Sequence, residues 1–371
     1  MLGVGLYSMA GVYGQKDHKK IEEMLIWAVE NGVKYFDVAP NYGEAETFLG
    51  ETLKPYREKI KIATKGGISE QGIPDGSRKS LQKRCRESLK RLQTDYIDHY
   101  QLHFYDPKTP IEETIEALEK LKTEGLIREY GLGHISREIT DEFCKKGHPS
   151  TILLEISALE TKSYQKFRSL SDDYPVDFVA MGVTGRGLLG GKIKDRNRFS
   201  PGDIREWDPL FHPVLESWTI EVYRKLEKIG ETFNLNPIQV GLKYVQNLPE
   251  VKRVLVGPSK RVHLQEILEG WNKDISREIF EELDEFLKKK GYEKWAILKK
   301  ATKRWLERAE EKGNGFQNLI LALEVLIEEG LLGEKEGHTF LRKGLNALRE
   351  SDNQRIEEIR NKLGERFLEN I

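Results

Sequence analysis

The chain has 371 residues, 38% hydrophobic and 33% charged, with 60 Lys and Arg set against 61 Asp and Glu for a formal net charge of −1. That length allows one large domain or two ordinary ones, and the charge balance excludes a bulk electrostatic case for nucleic acid or an anionic membrane. Cys85 and Cys144 are too few for a disulfide framework and lack zinc-ligand spacing, so no metal is expected; no apolar run has membrane-spanning length, and "MLGVGLYSMAGVYGQ" makes a poor signal peptide, which reads as a soluble, cytoplasmic protein.

Short β-rich runs come first at Val4–Tyr7 and Tyr35–Ala39, then at Ile60–Lys65, Tyr96–His103, Glu129–Gly133, Ile152–Ile156, Val176–Met181 and Val254–Gly257. Helical patterns lie between them. In "DHKKIEEMLIWAVENG", Ile21, Met24, Leu25, Ala28 and Val29 form one stripe, Asp17 can cap its start and Gly32 stands where the helix stops. "SRKSLQKRCRESLKRLQ" repeats the device with Leu81, Cys85, Leu89 and Leu92, which assigns Cys85 to the core. Glu112–Lys122 and Leu215–Phe233 follow suit.

Eight strands alternating with helices imply parallel pairing through right-handed crossovers and an α/β fold, a (β/α)8 TIM barrel over residues 1–290. An open doubly wound sheet is the competitor, and the absence of a G-x-G-x-x-G turn after the first strand argues against it. From Glu293 the pattern becomes wholly helical, with breaks at Asn314–Gly315 and Ser351–Asp352. Residues 291–371 are therefore expected to form a helical C-terminal extension of three or four helices. Trp295, Trp305 and the run "LILALEVLI" need burial, either over the barrel or in a homo-oligomer.

Barrel chemistry belongs at the C-terminal strand ends. Asp37 and Tyr42 follow the second strand in "KYFDVAPNYGE", Lys65 ends the third in "KIATKGG", and His103 ends the fourth in "DHYQLHF". Neighbouring strands lie about 5 Å apart, so the four can converge. A phenol near pKa 10 is a poor proton donor at neutrality. An adjacent Lys65 ammonium would lower that pKa, Asp37 would hold the ammonium, and His103 would orient a substrate oxygen: a tuned general acid facing a carbonyl. Taken singly, each residue has an ordinary role in a turn, a core or a surface.

These residues resemble the aldo-keto reductases, and the resemblance spans residues 1–270. "GVKYFDVAPNYGEAETFLGETL", "IKIATKGG", "LKRLQTDYIDHYQLHFYDP", "EALEKLKTEGLIREYGLG", "GRGLLGGK" and "NPIQVGLKYVQNLPEVKRVLVGPSK" carry it. It implies a barrel that binds NADP(H) without a Rossmann domain and reduces a small-molecule aldehyde or ketone, with Asp37, Tyr42, Lys65 and His103 as the catalytic tetrad. It further implies phosphate contacts from Gly185, Gly187, Leu188, Gly190, Gly191 and Lys192. The loop Gly257, Ser259, Lys260 and Arg261 would take the extra phosphate that separates NADP from NAD.

The nicotinamide end departs from the family pattern. Gly133-His134 stands where Ser-Asn is usual, Leu153 where Gln is usual, and Met181 where an aromatic ring stacks. His263 and Ile267 replace a Gln and an Asn beside the adenine. His134 can donate to an amide and Met181 can cover a ring face. Tyr105 and Trp207, the latter in the loop Arg205–Pro213, are candidates for the substrate pocket. Two other readings keep the fold: non-redox acid–base chemistry with Tyr42 as base, and a cofactor-sensing or partner-binding protein acting through its helical tail.

Overall fold

Eight strands pair in parallel, each with its sequence neighbours, and β1 closes on β8: Leu2–Gly5 (β1), Tyr35–Asp37 (β2), Lys61–Gly66 (β3), Ile97–Leu102 (β4), Ile127–Gly133 (β5), Thr151–Glu155 (β6), Asp177–Met181 (β7) and Val251–Val256 (β8). This is the expected (β/α)8 barrel, seen in a computed structural model that describes residues 1–14, 17–70, 72–191, 199, 202–308, 315–350 and 352–371. The first strand begins earlier than its periodicity suggests. Leu6 and Tyr7 leave the ladder, and a short 3-10 turn starts at Tyr7.

Helices α1 (His18–Glu30), α2 (Ala45–Leu53), α3 (Arg78–Arg91), α4 (Ile111–Thr123), α5 (Arg137–Lys146), α6 (Lys162–Phe167), α7 (Leu170–Asp173), α8 (Glu216–Phe233), α9 (Pro237–Gln246) and α10 (Arg261–Trp271) fill the crossovers and follow β8. Side chains cap several of them. The side chain of Asp17 accepts from Lys20 N, and that of Ser77 from Ser80 N. The stripe residues Ile21, Met24, Leu25 and Ala28 are buried, as are Leu81, Cys85 and Leu89. Burial pushes the Cys85 thiol up to about 12, so it is a packing residue rather than a nucleophile.

Four further helices end the chain: α11 (Arg277–Arg308), α12 (Gly315–Glu328), α13 (Glu334–Arg349) and α14 (Asn353–Phe367). Asp352 caps α14 through Arg355 N; Asn314 and Ser351 lie outside the described residues. The chain forms two compact units, Met1–Gly190 with Leu226–Asp284, and Gly191–Lys225 with Glu285–Ile371. The first contains the barrel. In the second, α12 is the hub. Phe316, Leu319, Ala322, Leu323 and Leu326 meet Trp305 and Leu306 of α11, Ala347 of α13, and Ile356, Ile359, Leu363 and Phe367 of α14. The buried His212 is fixed there too. Its Nδ1 accepts from Val214 N, which leaves Nε2 to donate to Asn318 Oδ1 at 2.7 Å. The apolar "LILALEVLI" run thus has its partners within its own unit. No helix among the described residues is long and apolar enough to cross a membrane.

The barrel interior is layered. Low in it, Arg253 pairs with Glu129 at 2.7 Å, and His99 is gripped by Tyr35 Oη at Nδ1 (2.6 Å) and Thr151 Oγ1 at Nε2 (2.7 Å). Packed with Tyr35 is an apolar cluster of Ala63, Leu153, Val179 and Leu255, with Met181 against it. The polar strand ends stand above that. Gly131 is fitted tightly to the lower layer: a Cβ there would fall 2.2 Å from Thr151 Oγ1 and 2.7 Å from His99 Nε2. Gly131→Ala should therefore cost about 1–3 kcal/mol of unfolding free energy, read from urea denaturation. An unchanged midpoint would show slack where this geometry has none.

Candidate active site

Lys65 is the centre of the barrel mouth. It is 1% exposed, and its ammonium donates to Asp37 Oδ1 at 2.6 Å and to the Val38 carbonyl at 2.8 Å. The register that sets Asp37 beside Ala63 brings these side chains together across the β2–β3 pair. Lys65 Nζ lies 4.9 Å from the centroid of the Tyr42 ring. The His103 ring meets the Tyr42 ring edge-on at 6.3 Å. The structure thus brings Asp37, Tyr42, Lys65 and His103 into one buried cluster.

The loop that carries Tyr42 is anchored behind by Glu46, in the first turn of α2. This carboxylate is buried, accepts from Thr64 Oγ1 at 2.6 Å and from Arg91 Nε at 2.6 Å, and so ties the loop's outgoing helix to β3 and α3.

Burial governs the electrostatics. It works against the Lys65 ammonium, but Asp37 and Tyr42 outweigh it, and the lysine pKa rises above its ordinary value. Burial raises the Asp37 carboxyl, with Lys65 opposing. Tyr42 corrects the sequence expectation. Lys65 does favour its phenolate, but burial is the larger effect and Asp37 adds to it, so the phenol pKa is raised. His103 falls to about 2, through burial and the Lys65 charge, and is neutral.

A ring-lined wall continues from Tyr42. Tyr7 meets Tyr42 edge-on at 5.0 Å, His103 stacks on Phe104 at 4.6 Å, and Phe104 stacks on His134 at 5.1 Å. His134 follows β5 with φ +49, a left-handed conformation uncommon for a side-chain-bearing residue. Its pKa is lowered, through desolvation and then Lys65, with Glu155 opposing and Arg186 adding. A cavity of about 190 Å³ is lined by Gly133, His134, Leu153, Glu155 and Met181, among others.

The remaining candidates are placed as follows. Gly185, Gly187, Leu188 and Gly190 form the tight loop after β7, while Lys192 lies outside the described residues. Lys260 is the N-cap position of α10 and Arg261 its first residue, with the guanidinium 5.0 Å from the Trp27 ring centre. Gly257 and Ser259 precede them in the loop after β8. Tyr105 turns its ring edge to Phe143 of α5 at 6.4 Å and lines a separate depression with Pro107, Lys108 and Glu142. Trp207 belongs to the second unit, where it meets Phe316 at 5.9 Å.

Several site residues escape the sequence reading. Gln101 is fully buried on the same strand face as His103, and strand alternation alone could have flagged it. Tyr7 and Phe104 carry no signal beyond standing at strand ends. The pair Glu155–Arg186 joins residues 31 apart, which no local pattern marks.

Fold and site define a closed (β/α)8 barrel with an acid–base cluster at its mouth. Residues 1–288 match the Aldo/keto reductase family. The aldo-keto reductase YhdN of Bacillus subtilis is 30% identical over 281 residues, 73% of this chain and 85% of the relative. Among solved structures, the holo form of aldo-keto reductase AKR11C1 from Bacillus halodurans aligns with a TM-score of 0.61 at 28% identity, over 76% of this chain and 91% of its own. The glycerol dehydrogenase AKR11B4 from Gluconobacter oxydans aligns with a TM-score of 0.70 at 25% identity, over 77% and 90%. The chain belongs to the aldo-keto reductase family of oxidoreductases.

Neutral His103 has a consequence for stability. The unfolded chain protonates a histidine below about pH 6.5, whereas the folded site resists it, so this stabilisation is present above pH 6.5 and lost as pH falls. Unfolding free energy should drop by about 1.4 kcal/mol per pH unit for this histidine between pH 6 and 4. His103→Gln should remove that share of the slope in denaturation measured across pH. An identical slope would mean that His103 charges in the folded state.

Proposed function

We propose that this protein is an NADPH-dependent carbonyl reductase in which Tyr42 is the general acid. The observation that carries the reading is the buried Lys65 ammonium, 2.6 Å from Asp37 and 4.9 Å from the Tyr42 ring centre, with the His103 ring edge-on to that ring at 6.3 Å. The residues present fit a nicotinamide dinucleotide. Gly133 leaves the inner face of β5 without a side chain beside the apolar layer of Leu153 and Val179. His103 Nδ1 and Asp37 Oδ2 are buried without hydrogen-bond partners.

When bound, the dinucleotide supplies the hydride. The protein's own residues do the rest. His103, neutral and aimed into the mouth, can donate to the carbonyl oxygen and set it against Tyr42. Tyr42 releases its phenolic proton to that oxygen as negative charge develops. Lys65 stabilises the phenolate left behind, and Asp37 keeps Lys65 charged. His134 and Met181 would face the nicotinamide, Gly185 to Gly190 the pyrophosphate, and Lys260 and Arg261 the 2′-phosphate. The raised Tyr42 pKa suits a group that must be protonated at rest. The substrate is an aldehyde or ketone of modest size; the aromatic wall of Tyr7, Tyr42 and Phe104 supports an apolar one.

A second reading, non-redox acid–base chemistry with Tyr42 as base, draws on Leu153, which is committed to the apolar layer and offers no polar contact to a carboxamide. Titration of the protein with NADPH and NADH, followed by tryptophan fluorescence, separates the two. Binding of neither would favour the second.

Tyr42→Phe should lower kcat for carbonyl reduction by about 10²–10⁴-fold with the Kd for NADPH little changed. Retained turnover would remove Tyr42 from the role of acid. With its pKa raised, the phenol stays protonated across neutral pH. Reduction should be flat there and fall only above about pH 10, while oxidation of the alcohol product should rise with pH. Profiles of the opposite slope would contradict the assignment.

A further inference from the structure

We propose that Glu155 is a positioning residue for pyrophosphate recognition: its ion pair with Arg186 holds the loop after β7 in its receiving conformation. The inference rests on the reductase reading above and gives Glu155 a part in it that acts through Arg186.

Glu155 ends β6, in register with Met181 at the end of β7. Its two carboxylate oxygens take both terminal nitrogens of Arg186, at 2.6 and 3.1 Å. Such a fork fixes direction as well as distance. The pair is partly shielded, with side-chain exposures of 28% for Glu155 and 21% for Arg186. The loop is shaped around it. Gly182 has φ +68, and a Cβ there would fall 3.1 Å from Glu155 Cγ and Oε1, so a side chain would crowd the carboxylate.

Arg186 is itself left-handed, at φ 50 and ψ 31, and Gly187 follows at φ 94. A left-handed arginine persists only where its surroundings impose it, and the Glu155 fork is such a restraint. Turns of this kind gather backbone N–H groups into concavities that suit anions. Without the fork, the left-handed Arg186 loses its bidentate restraint, and the turn is expected to relax toward negative φ.

The sign of the effect separates positioning from simple charge. Glu155 carries a negative charge, and near a pyrophosphate it acts as a repulsive group. If that were all, removing the charge would tighten anion binding. A residue that positions the loop gives the opposite result: its removal weakens binding despite the lost repulsion.

The test uses the full-length chain and three probes: NADPH, 2′-phospho-ADP-ribose and adenosine 2′-monophosphate. The first two contain a pyrophosphate and the third does not. NADPH binding is read by tryptophan fluorescence and the others by competition. In Glu155→Gln, the Kd values of the first two should rise about tenfold, while that of the monophosphate changes less than twofold. Glu155→Asp, which keeps the charge but shortens the reach to Arg186, should show the same pattern. Unchanged or tighter binding of the first two probes by both variants would overturn the inference. So would equal weakening of all three probes with a fall in Tm, which marks a general structural role. A wild-type protein that binds none of the probes would fail the reductase reading and this inference with it. Normal binding by the wild type and by both variants would fail this inference alone.

Discussion

A lysine ammonium with almost no exposure to water must be met by an acceptor of opposite charge or lose its proton. Lys65 is met twice, by the Asp37 carboxylate and by the Val38 carbonyl. Both belong to the strand beside it and the turn that follows, so the pair exists only where β2 and β3 hold their register. Slipping that register by one residue would turn Lys65 toward the helices and leave Asp37 charged in a dry interior. The barrel and the ion pair therefore depend on each other. The barrel supplies the low-dielectric setting, and the pair penalises every alternative register. Tyr42 and His103 take their properties from the same setting. Burial keeps the phenol protonated and the imidazole neutral, and the Lys65 charge pushes on both.

Much of this was legible in the sequence, for a physical reason. In a parallel barrel every strand is buried on both faces, so a charged or titratable residue at a strand's C-terminal end stands out against apolar neighbours. Asp37, Lys65 and His103 were visible in this way, and helix stripes and caps placed the eight repeats. What was not legible depends on distance or on a balance of effects. Lys65 and burial pull the Tyr42 pKa in opposite directions, and only the depth of the site decides between them. The Glu155–Arg186 fork joins two strand ends whose residues show no mutual pattern. The association of residues 191–225 with the C-terminal helices rests on contacts such as Trp207 with Phe316 and Asp208 with Gln317, far apart in the chain. Tyr105 shows the same dependence on distance. It stands just past β4, and its contact with Phe143 of α5 joins residues that no local pattern links.

The layering of the interior explains why Leu153 need not damage the acid–base end. Leu153 sits with Tyr35, Ala63, Val179 and Leu255 in an apolar cluster, and Tyr35 links that cluster to the network of His99 and Thr151. A polar side chain at 153 would bring an amide among these apolar groups and would need a partner there. The leucine instead completes the apolar cluster.

On the reductase reading, this arrangement shifts where cofactor affinity must arise. With Leu153 apolar and Met181 in place of a ring, the nicotinamide end offers dispersion contacts and one imidazole donor, His134. Orientation of the ring then depends on shape and on the stacked His134–Phe104–His103 wall more than on a set of hydrogen bonds. Affinity must come chiefly from the phosphates, through the loop after β7 and the start of α10. Binding energy at such a remote end can still serve catalysis, because it can offset the cost of holding the reacting atoms in place. That gives the Glu155–Arg186 fork its importance. If the nicotinamide end cannot orient the cofactor unaided, the loop that would grip the phosphates must be rigid before the cofactor arrives, and a bidentate ion pair at the end of β6 would supply that rigidity.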